Sequence, residues 1–243
     1  MVPPPRAAAP ERSLTDTLHT VARLELPVGE WQWPFARDRA AEIAGYFSEL
    51  QAETPQLWNG GVLMARNPQV TGDCFRADYF PTDFASLLAL RGWGFPDRSV
   101  FNVFGMGALR SSDGAFVLGE MGRHTANAGK IYFPAGTPDL QDVRDGILDM
   151  AASVEREVDE EVGLRPSDYD AAPHWTCVFA GPRVALIREL RSPLAAEALL
   201  ARIEAAIAVQ DEPELLAIHL VRSATDITSA VPPFVAAYLR NAL

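Results

Sequence analysis

The stretch REVDEEVGL, from Arg156 to Leu164, decides how this sequence is interpreted, because it concentrates negative charge inside a predicted helix. Its acidic residues are Glu157, Asp159, Glu160 and Glu161. The helix is predicted over 149–162, with Gly163 in the position where a helix commonly ends. Like charges one turn apart on a helix repel. Either a bound cation or full exposure to water must therefore accompany these carboxylates.

The spacing of the acidic residues sorts them onto two sides of the helix. At about 100° per residue, Glu157, Glu160 and Glu161 share one face, whereas Asp159 lies on the opposite side. An apolar stripe is formed by Val154, Val158 and Val162. Three carboxylates on one face can hold a hard divalent cation, Mg²⁺ or Mn²⁺, which would offset the repulsion and bind phosphate oxygens. A solvated acidic face is the more common explanation of such charge runs, so spacing alone leaves both interpretations open.

A resemblance to a known family bears on this choice. REVDEEVGL resembles the second half of the Nudix box, with Arg-Glu, an apolar residue, Glu-Glu and Gly-apolar in order. FPAG, at 133–136, resembles the strand and turn that open the box. The resemblance covers about residues 99–230 and implies a metal-dependent hydrolase of phosphoanhydrides. It implies metal ligation by Glu157, Glu160, Glu161 and the backbone carbonyl of Gly136, with Arg156 orienting carboxylates.

The first half of the box departs from the family pattern. Nineteen residues separate Gly136 from Arg156, six more than the pattern has. The position of the usual box glutamate is taken by Leu148, and the adjacent Asp149 fits better as the cap of the helix. Candidates to replace the missing carboxylate lie in the lengthened loop, and the sequence does not choose among Asp139, Asp142 and Asp145.

The resemblance also implies a further acid from a late loop, acting as metal ligand or base. VQDEPELL, at 209–216, lies just before the last predicted strand and contains Glu212 and Glu214. We prefer Glu212, because Glu214 could point with the strand. The predicted catalytic residues are thus Glu160, Glu161, Arg156 and Glu212. An exposed acid in a loop is common in any protein, so a solvated loop residue is the alternative for Glu212.

Composition narrows the classes of partner and the compartment. The 243 residues carry 21 Lys and Arg against 32 Asp and Glu, a net charge of −11, which argues against nucleic acid and anionic membranes as partners. With two cysteines far apart in sequence, a disulfide framework or structural zinc site is not expected. No apolar run is long enough to cross a membrane. We expect a flexible tail over 1–13, no secretory signal and a cytoplasmic location.

The predicted fold is α+β, in the form that the resemblance implies, a Nudix-like α/β/α sandwich with a mixed central sheet. An N-terminal α+β extension is predicted over 14–98 and a Nudix-like catalytic domain over 99–243. The predicted elements include a helix over 36–54 and another over 81–93. Later elements are a hairpin over 99–121, two strands over 174–190, a helix over 193–210 and a last helix over 232–243.

The expected function is metal-dependent hydrolysis of a nucleoside diphosphate linked to a group X. The long segment before the box suggests a large X, of the sugar, nucleotide or coenzyme A type. The alternative is a catalytically inactive Nudix-fold module that binds nucleotides or regulates, motivated by the missing box glutamate. Nudix proteins are often dimers, and residues 1–98 offer an interface for a homodimer, but the sequence leaves the oligomeric state open.

Overall fold

The fold is described by a computed structural model that covers residues 17–243. The tail predicted over 1–13 lies outside the described residues. Within 17–243 the chain combines β-strands with six α-helices, which confirms the predicted α+β class. Among these six helices, none has the length and the apolar character that crossing a bilayer demands.

The elements are numbered along the chain. The strands are β1 (Thr17–Val21), β2 (Arg23–Glu25), β3 (Gly61–Thr71), β4 (Cys74–Asp83), β5 (Asn102–Arg110), β6 (Phe116–Met121), β7 (Ile131–Tyr132), β8 (Ala135–Gly136), β9 (Val143–Arg144), β10 (Ile147–Leu148), β11 (Asp170–Ala171), β12 (Trp175–Ala180), β13 (Arg183–Arg191) and β14 (Leu215–Val221). The helices are α1 (Pro34–Asp38), α2 (Ala40–Glu53), α3 (Phe84–Gly92), α4 (Met150–Val162), α5 (Ala196–Ile207) and α6 (Pro233–Ala242). Short 3₁₀ turns lie at Leu140–Asp142, Pro166–Asp168 and Ala224–Asp226.

A nine-stranded mixed sheet forms the centre of the molecule. Six strands cross it in the order β1-β12-β13-β5-β6-β14, and the short strands β7, β8 and β11 pair with β6, β5 and β13. The central pair, β13 and β5, is parallel, whereas the β1–β12, β12–β13 and β6–β14 pairs are antiparallel. The sheet is therefore mixed, as predicted.

Helices cover both faces of this sheet. Successive residues of a strand point to opposite faces, and on β5 Phe104 packs edge-on against Phe234 of α6. Its neighbour Gly105 faces α4 instead, since a Cβ placed there would lie 2.6 Å from Val154 Cγ2. Helices α4 and α6 therefore lie on opposite faces, which is the predicted α/β/α sandwich.

The N-terminal part contributes to two sheets. Strand β1 joins the central sheet by pairing with β12, whereas β2, β3 and β4 form a separate three-stranded sheet with α3 beside it. A bridge between Ala65 and Phe101 joins the two parts of the chain. One hydrophobic core includes Phe75 and Tyr79 from the small sheet together with Val103 from the central one. The division of the chain at residue 99 stays a prediction.

Two regions differ from the elements expected from sequence. The helix predicted over 36–54 is divided at Arg39, whose backbone leaves the helical region between α1 and α2. The lengthened box loop contains an unpredicted hairpin of β9 and β10, with Asp145 and Gly146 at positive φ in its turn, as such tight turns require. The Gly146 carbonyl accepts from the Val28 N–H at 2.8 Å, which fixes the hairpin to the N-terminal segment.

Candidate metal centre

Helix α4 carries the acidic stretch, and local sequence explains its position. It begins after Asp149, whose side chain accepts from the Ala152 N–H at 3.0 Å, and it ends at Gly163 in the left-handed conformation. Both features confirm the caps expected from sequence. The apolar stripe of α4 packs on β5, where Gly105 and Gly107 leave no side chain between helix and sheet. Glu157 and Glu161 lie along the edge of this stripe, on the side where α4 contacts β8.

The three predicted metal ligands differ greatly in exposure. Glu161 is 5% exposed and the Glu157 side chain 14%, whereas the Glu160 side chain is 59% exposed. All three line a single cavity of about 530 Å³. The remaining lining residues are Val209, Gln210, Asp211, Glu212 and Glu214. Because most of the lining residues are acidic, an anionic substrate would be repelled unless cations joined it.

Burial and mutual repulsion shift the titration of the two inner glutamates. Burial raises the pKa of Glu157 to about 7, and the charges of Glu160 and Glu214 add to this, while Arg156 opposes it. Burial also raises the pKa of Glu161 well above its usual range, and the charge of Glu157 adds to the effect. The Ala135 N–H, which donates to Glu161 Oε1 at 3.3 Å, acts in the opposite direction. The site thus holds carboxylates under strong electrostatic repulsion.

The contacts of Arg156 distinguish the three acids of the lengthened loop. Its Nε and Nη2 donate to the two carboxylate oxygens of Asp142, at 3.4 and 3.2 Å. Asp142 is only 4% exposed. Arg156 Nη1 also lies 2.8 Å from Glu157 Oε1 and 3.1 Å from Glu160 Oε2. Of the three loop acids left open by the sequence, Asp142 is the one that supports the arginine, whereas Leu148 is buried in the core.

The FPAG segment meets the glutamates from the other side. Its residues Ala135 and Gly136 form β8, which pairs with Gly105 and Met106 of β5. A side chain at Gly136 would overlap the carboxylate of Glu157 in its observed position, so the glycine lets that carboxylate lie against the backbone. The predicted ligand Gly136 is therefore brought directly beside Glu157, on backbone that the central sheet holds in place.

The late loop contributes two acids to the same cavity. Both Glu212 and Glu214 line it. Glu214 acts on both inner glutamates, because its charge raises the pKa of Glu157 and of Glu161. The backbone carbonyl of Glu214 accepts from the Gly122 N–H at 2.7 Å, which anchors the start of β14 beside the site. The sequence preference for Glu212 over Glu214 remains a prediction, and the structure makes Glu214 an equal candidate.

The carboxylates of the cavity are of the chemical type that binds a divalent metal, although their oxygen atoms do not converge on one point. Over residues 17–243, no group of three or more Asp, Glu, His or Cys side chains has a spacing that would hold an ion. Arg156 draws Glu157 and Glu160 toward itself, and Glu161 accepts from Ala135. The donors are all carboxylate oxygens, which suit Mg²⁺ or Mn²⁺ and not soft metals. The absent side chain of Gly136 leaves the space in which the Glu157 carboxylate lies.

Comparison with known proteins yields similarities of structure only. Neither the family models nor the curated proteins contain a match to this chain. Among solved structures, the MutT protein from Methanosarcina mazei Go1 is similar at 19% identity and a TM-score of 0.36, over 58% of this chain and 91% of that one.

Two further solved structures are similar to the chain. The Nudix hydrolase RenU from M. Smegmatis has 13% identity and a TM-score of 0.35, over 57% of this chain and 80% of that one. A mutant form of the Bacillus subtilis pyrophosphohydrolase BsRppH has 15% identity and a TM-score of 0.30, over 54% of this chain and 66% of that one. At such values the similarity carries no functional argument.

Proposed function

We propose that the chain is a divalent-metal-dependent pyrophosphohydrolase of the Nudix type, acting on a nucleoside diphosphate linked to a group X. The observation that carries this proposal is the placement of Glu157, Glu160 and Glu161 in one acidic cavity, against the opening glycine of the box. A purely solvated acidic helix would not bury Glu161 to 5% exposure, because burying an unpaired carboxylate is costly.

The residues proposed to hold the metal are Glu157, Glu160, Glu161 and the backbone carbonyl of Gly136. Bound Mg²⁺ or Mn²⁺ would supply the positive charge that a diphosphate and an attacking water require. Arg156 is proposed to orient Glu157 and Glu160, since it lies within ion-pair distance of both. Its own position is held by Asp142, the residue that replaces the box glutamate.

Hydrolysis adds water across a phosphoanhydride bond. The water oxygen bonds to one phosphorus, the bond from that phosphorus to the bridging oxygen breaks, and the water proton passes to a carboxylate of the cavity. Glu212 and Glu214 are the candidates for this acceptor, because both line the cavity and neither is paired with Arg156. In this proposal residues 99–243 form the catalytic domain, and residues 14–98 contribute to recognition of a large group X.

The decisive experiment is a hydrolysis assay with a panel of nucleoside diphosphate derivatives, with Mg²⁺ or Mn²⁺ and with EDTA. We expect metal-dependent release of a nucleoside monophosphate, and loss of at least about a hundredfold in kcat for Glu160→Gln and Glu161→Gln. Binding of nucleotides without turnover, unchanged in both variants, would instead establish the inactive module. Glu212→Gln and Glu214→Gln separate the two candidate proton acceptors, since replacing the true acceptor removes the acidic limb of the pH–rate profile.

A further inference from the structure

Helix α3 ends with a partly buried arginine that has no carboxylate partner among the described residues. Arg91 Nη1 donates to Asn127 Oδ1 and its Nη2 to the Ala126 carbonyl, both at 2.8 Å. Within residues 17–243 it forms no salt bridge, although the chain carries a net charge of −11. Three of the five N–H groups of its guanidinium thus have no protein acceptor in the described part of the chain.

A second arginine, Arg183, contacts the C-terminal end of α3 through Phe95, whose N–H donates to the Leu90 carbonyl at 2.8 Å. The guanidinium of Arg183, at the start of β13, stacks over the ring of Phe95 at 5.4 Å, and Phe95 belongs to the turn that follows α3. The pKa of Arg91 is lowered, first by burial and then by the positive charge of Arg183. Arg183 also lacks a salt bridge within the described residues. Two like charges that act on each other without a carboxylate partner cost free energy, and an anion bound beside them would offset that cost.

This arginine pair is connected to the metal centre through Tyr132. Asn127 accepts from Arg91 and donates from its Nδ2 to the Tyr132 hydroxyl at 3.0 Å. Burial raises the pKa of Tyr132, and the charges of Glu161 and Glu214 add to this, whereas Asn127 and Arg91 oppose it. The chain around Tyr132 thus contacts both groups, because Asn127 joins its hydroxyl to Arg91 and Ala135, three residues later, donates to Glu161.

We propose that Arg91 and Arg183 bind a phosphate group that the substrate carries in addition to its diphosphate. The proposal rests on the proposed function, in which the diphosphate occupies the acidic cavity with its cations. A guanidinium presents its N–H groups in a fork that matches phosphate oxygens. The substrate would then extend from the diphosphate at α4 to the extra phosphate at α3. The N-terminal segment thereby selects substrates through a residue outside the box.

The first test measures phosphate binding without any hydrolysis. Inorganic phosphate is titrated into the metal-free protein in EDTA and followed by calorimetry. We expect saturable binding that Arg91→Gln and Arg183→Gln each weaken at least about tenfold, the loss typical of one charge-assisted contact. The matched control is Arg240→Gln, at an exposed arginine near the end of α6, which should bind phosphate as the wild type does. No saturable binding, or binding indifferent to both substitutions, overturns the proposal.

The second test uses substrate pairs that differ by one phosphate, NADPH against NADH and coenzyme A against dephospho-coenzyme A. The wild type should prefer the phosphorylated member in kcat/KM, and both arginine variants should lose that preference through KM. Arg91 also holds Ala126 and Asn127, so a purely structural role would lower activity equally on both members of a pair. Among residues 17–243 the Arg183 side chain donates no hydrogen bond, so the Arg183→Gln variant tests phosphate recognition without disturbing that loop. If nothing is hydrolysed, the proposed function fails, while the phosphate titration still decides the subsite.

Discussion

Arg156 and Asp142 lie fourteen residues apart in the chain and are joined by two hydrogen bonds, at 3.4 and 3.2 Å. Asp142 ends the short 3₁₀ turn before the β9–β10 hairpin, so this pair ties the lengthened loop to α4. Arg156 lies at the same time within ion-pair distance of Glu157 and Glu160. The orientation of two proposed metal ligands therefore depends on a carboxylate that lies outside the motif.

Asp142→Asn should weaken both metal binding and hydrolysis. The amide keeps the shape of the side chain but removes the charge that holds Arg156, which is then free to compete for Glu157 and Glu160. Loss of such a supporting partner typically costs about 10–100-fold in metal affinity or activity. Mn²⁺ affinity by calorimetry and kcat on the best substrate of the panel measure the effect.

The control for this change is Asp145→Asn, three residues further along the same loop. Asp145 is exposed and occupies the hairpin turn at positive φ, a conformation that asparagine also tolerates. This variant should keep wild-type metal affinity and activity. Equal losses in the two variants would mean that Asp142 contributes only loop stability, and its role as a support for Arg156 would be abandoned.

The pH dependence of stability should reveal the buried charge at Glu157. Its pKa of about 7 in the folded protein lies above the usual 4.5, so its contribution to stability is present below about pH 4.5 and is lost as the pH rises through about 7. One pKa unit corresponds to about 1.4 kcal/mol, which bounds the loss at about 3.5 kcal/mol. Urea unfolding of the metal-free wild type and of Glu157→Gln, at pH 5 and pH 8, gives the difference directly.

The direction in which stability changes with pH should differ between the metal-free and the Mn²⁺-bound protein. Relative to Glu157→Gln, the metal-free wild type should become less stable as the pH rises from 5 to 8. Saturating Mn²⁺ should reverse the trend, because a metal binds the ionised carboxylate and its affinity grows with pH. A pH-independent difference between the two proteins in EDTA would contradict the burial of Glu157 as a charged group.

Periodicity and caps are sufficient to predict α4 and its position in the fold. The stripe of Val154 and Val158 indicates its buried face, and Asp149 and Gly163 indicate its ends, because these signals are local and act within one turn. The turn at 111–114 likewise predicts the β5–β6 pair, and the Gly-Pro turn at 181–182 predicts the β12–β13 pair. The α/β/α sandwich is implied by the resemblance of the box to a family motif, and that resemblance is visible in the sequence alone.

The remaining features of the site depend on contacts that are distant in sequence. Asp142 cannot be separated from Asp139 and Asp145 by sequence, since the choice depends on how the hairpin turns back toward Arg156. The significance of Arg91 is equally hidden, because its partner Asn127 lies 36 residues later. Small and polar residues fill the segment at 122–130, but only the fold shows that this segment is attached to α3.

Gly107→Ala should destabilise the fold through the contact between α4 and β5. A Cβ at Gly107 would lie 2.7 Å from Val158 Cγ2 and 2.9 Å from Leu190 Cδ1, inside a packed core. Such overpacking typically costs about 1–3 kcal/mol. The midpoint of urea unfolding measures this. Gly45→Ala is the matched control, because Gly45 lies in α2 with nothing near its Cβ position, and alanine there should stabilise the helix by up to about 1 kcal/mol.

Gly136→Ala tests the contact between the opening of the box and α4, and it should separate function from stability. The added methyl group would overlap the carboxylate of Glu157, which is the far end of a flexible side chain and can move aside. We therefore expect a free energy of unfolding within about 1 kcal/mol of wild type, together with a loss of Mn²⁺ affinity of about tenfold or more. Unchanged Mn²⁺ affinity in a folded Gly136→Ala protein would show that Glu157 does not need this space, and would remove Gly136 and Glu157 as neighbouring ligands of one ion.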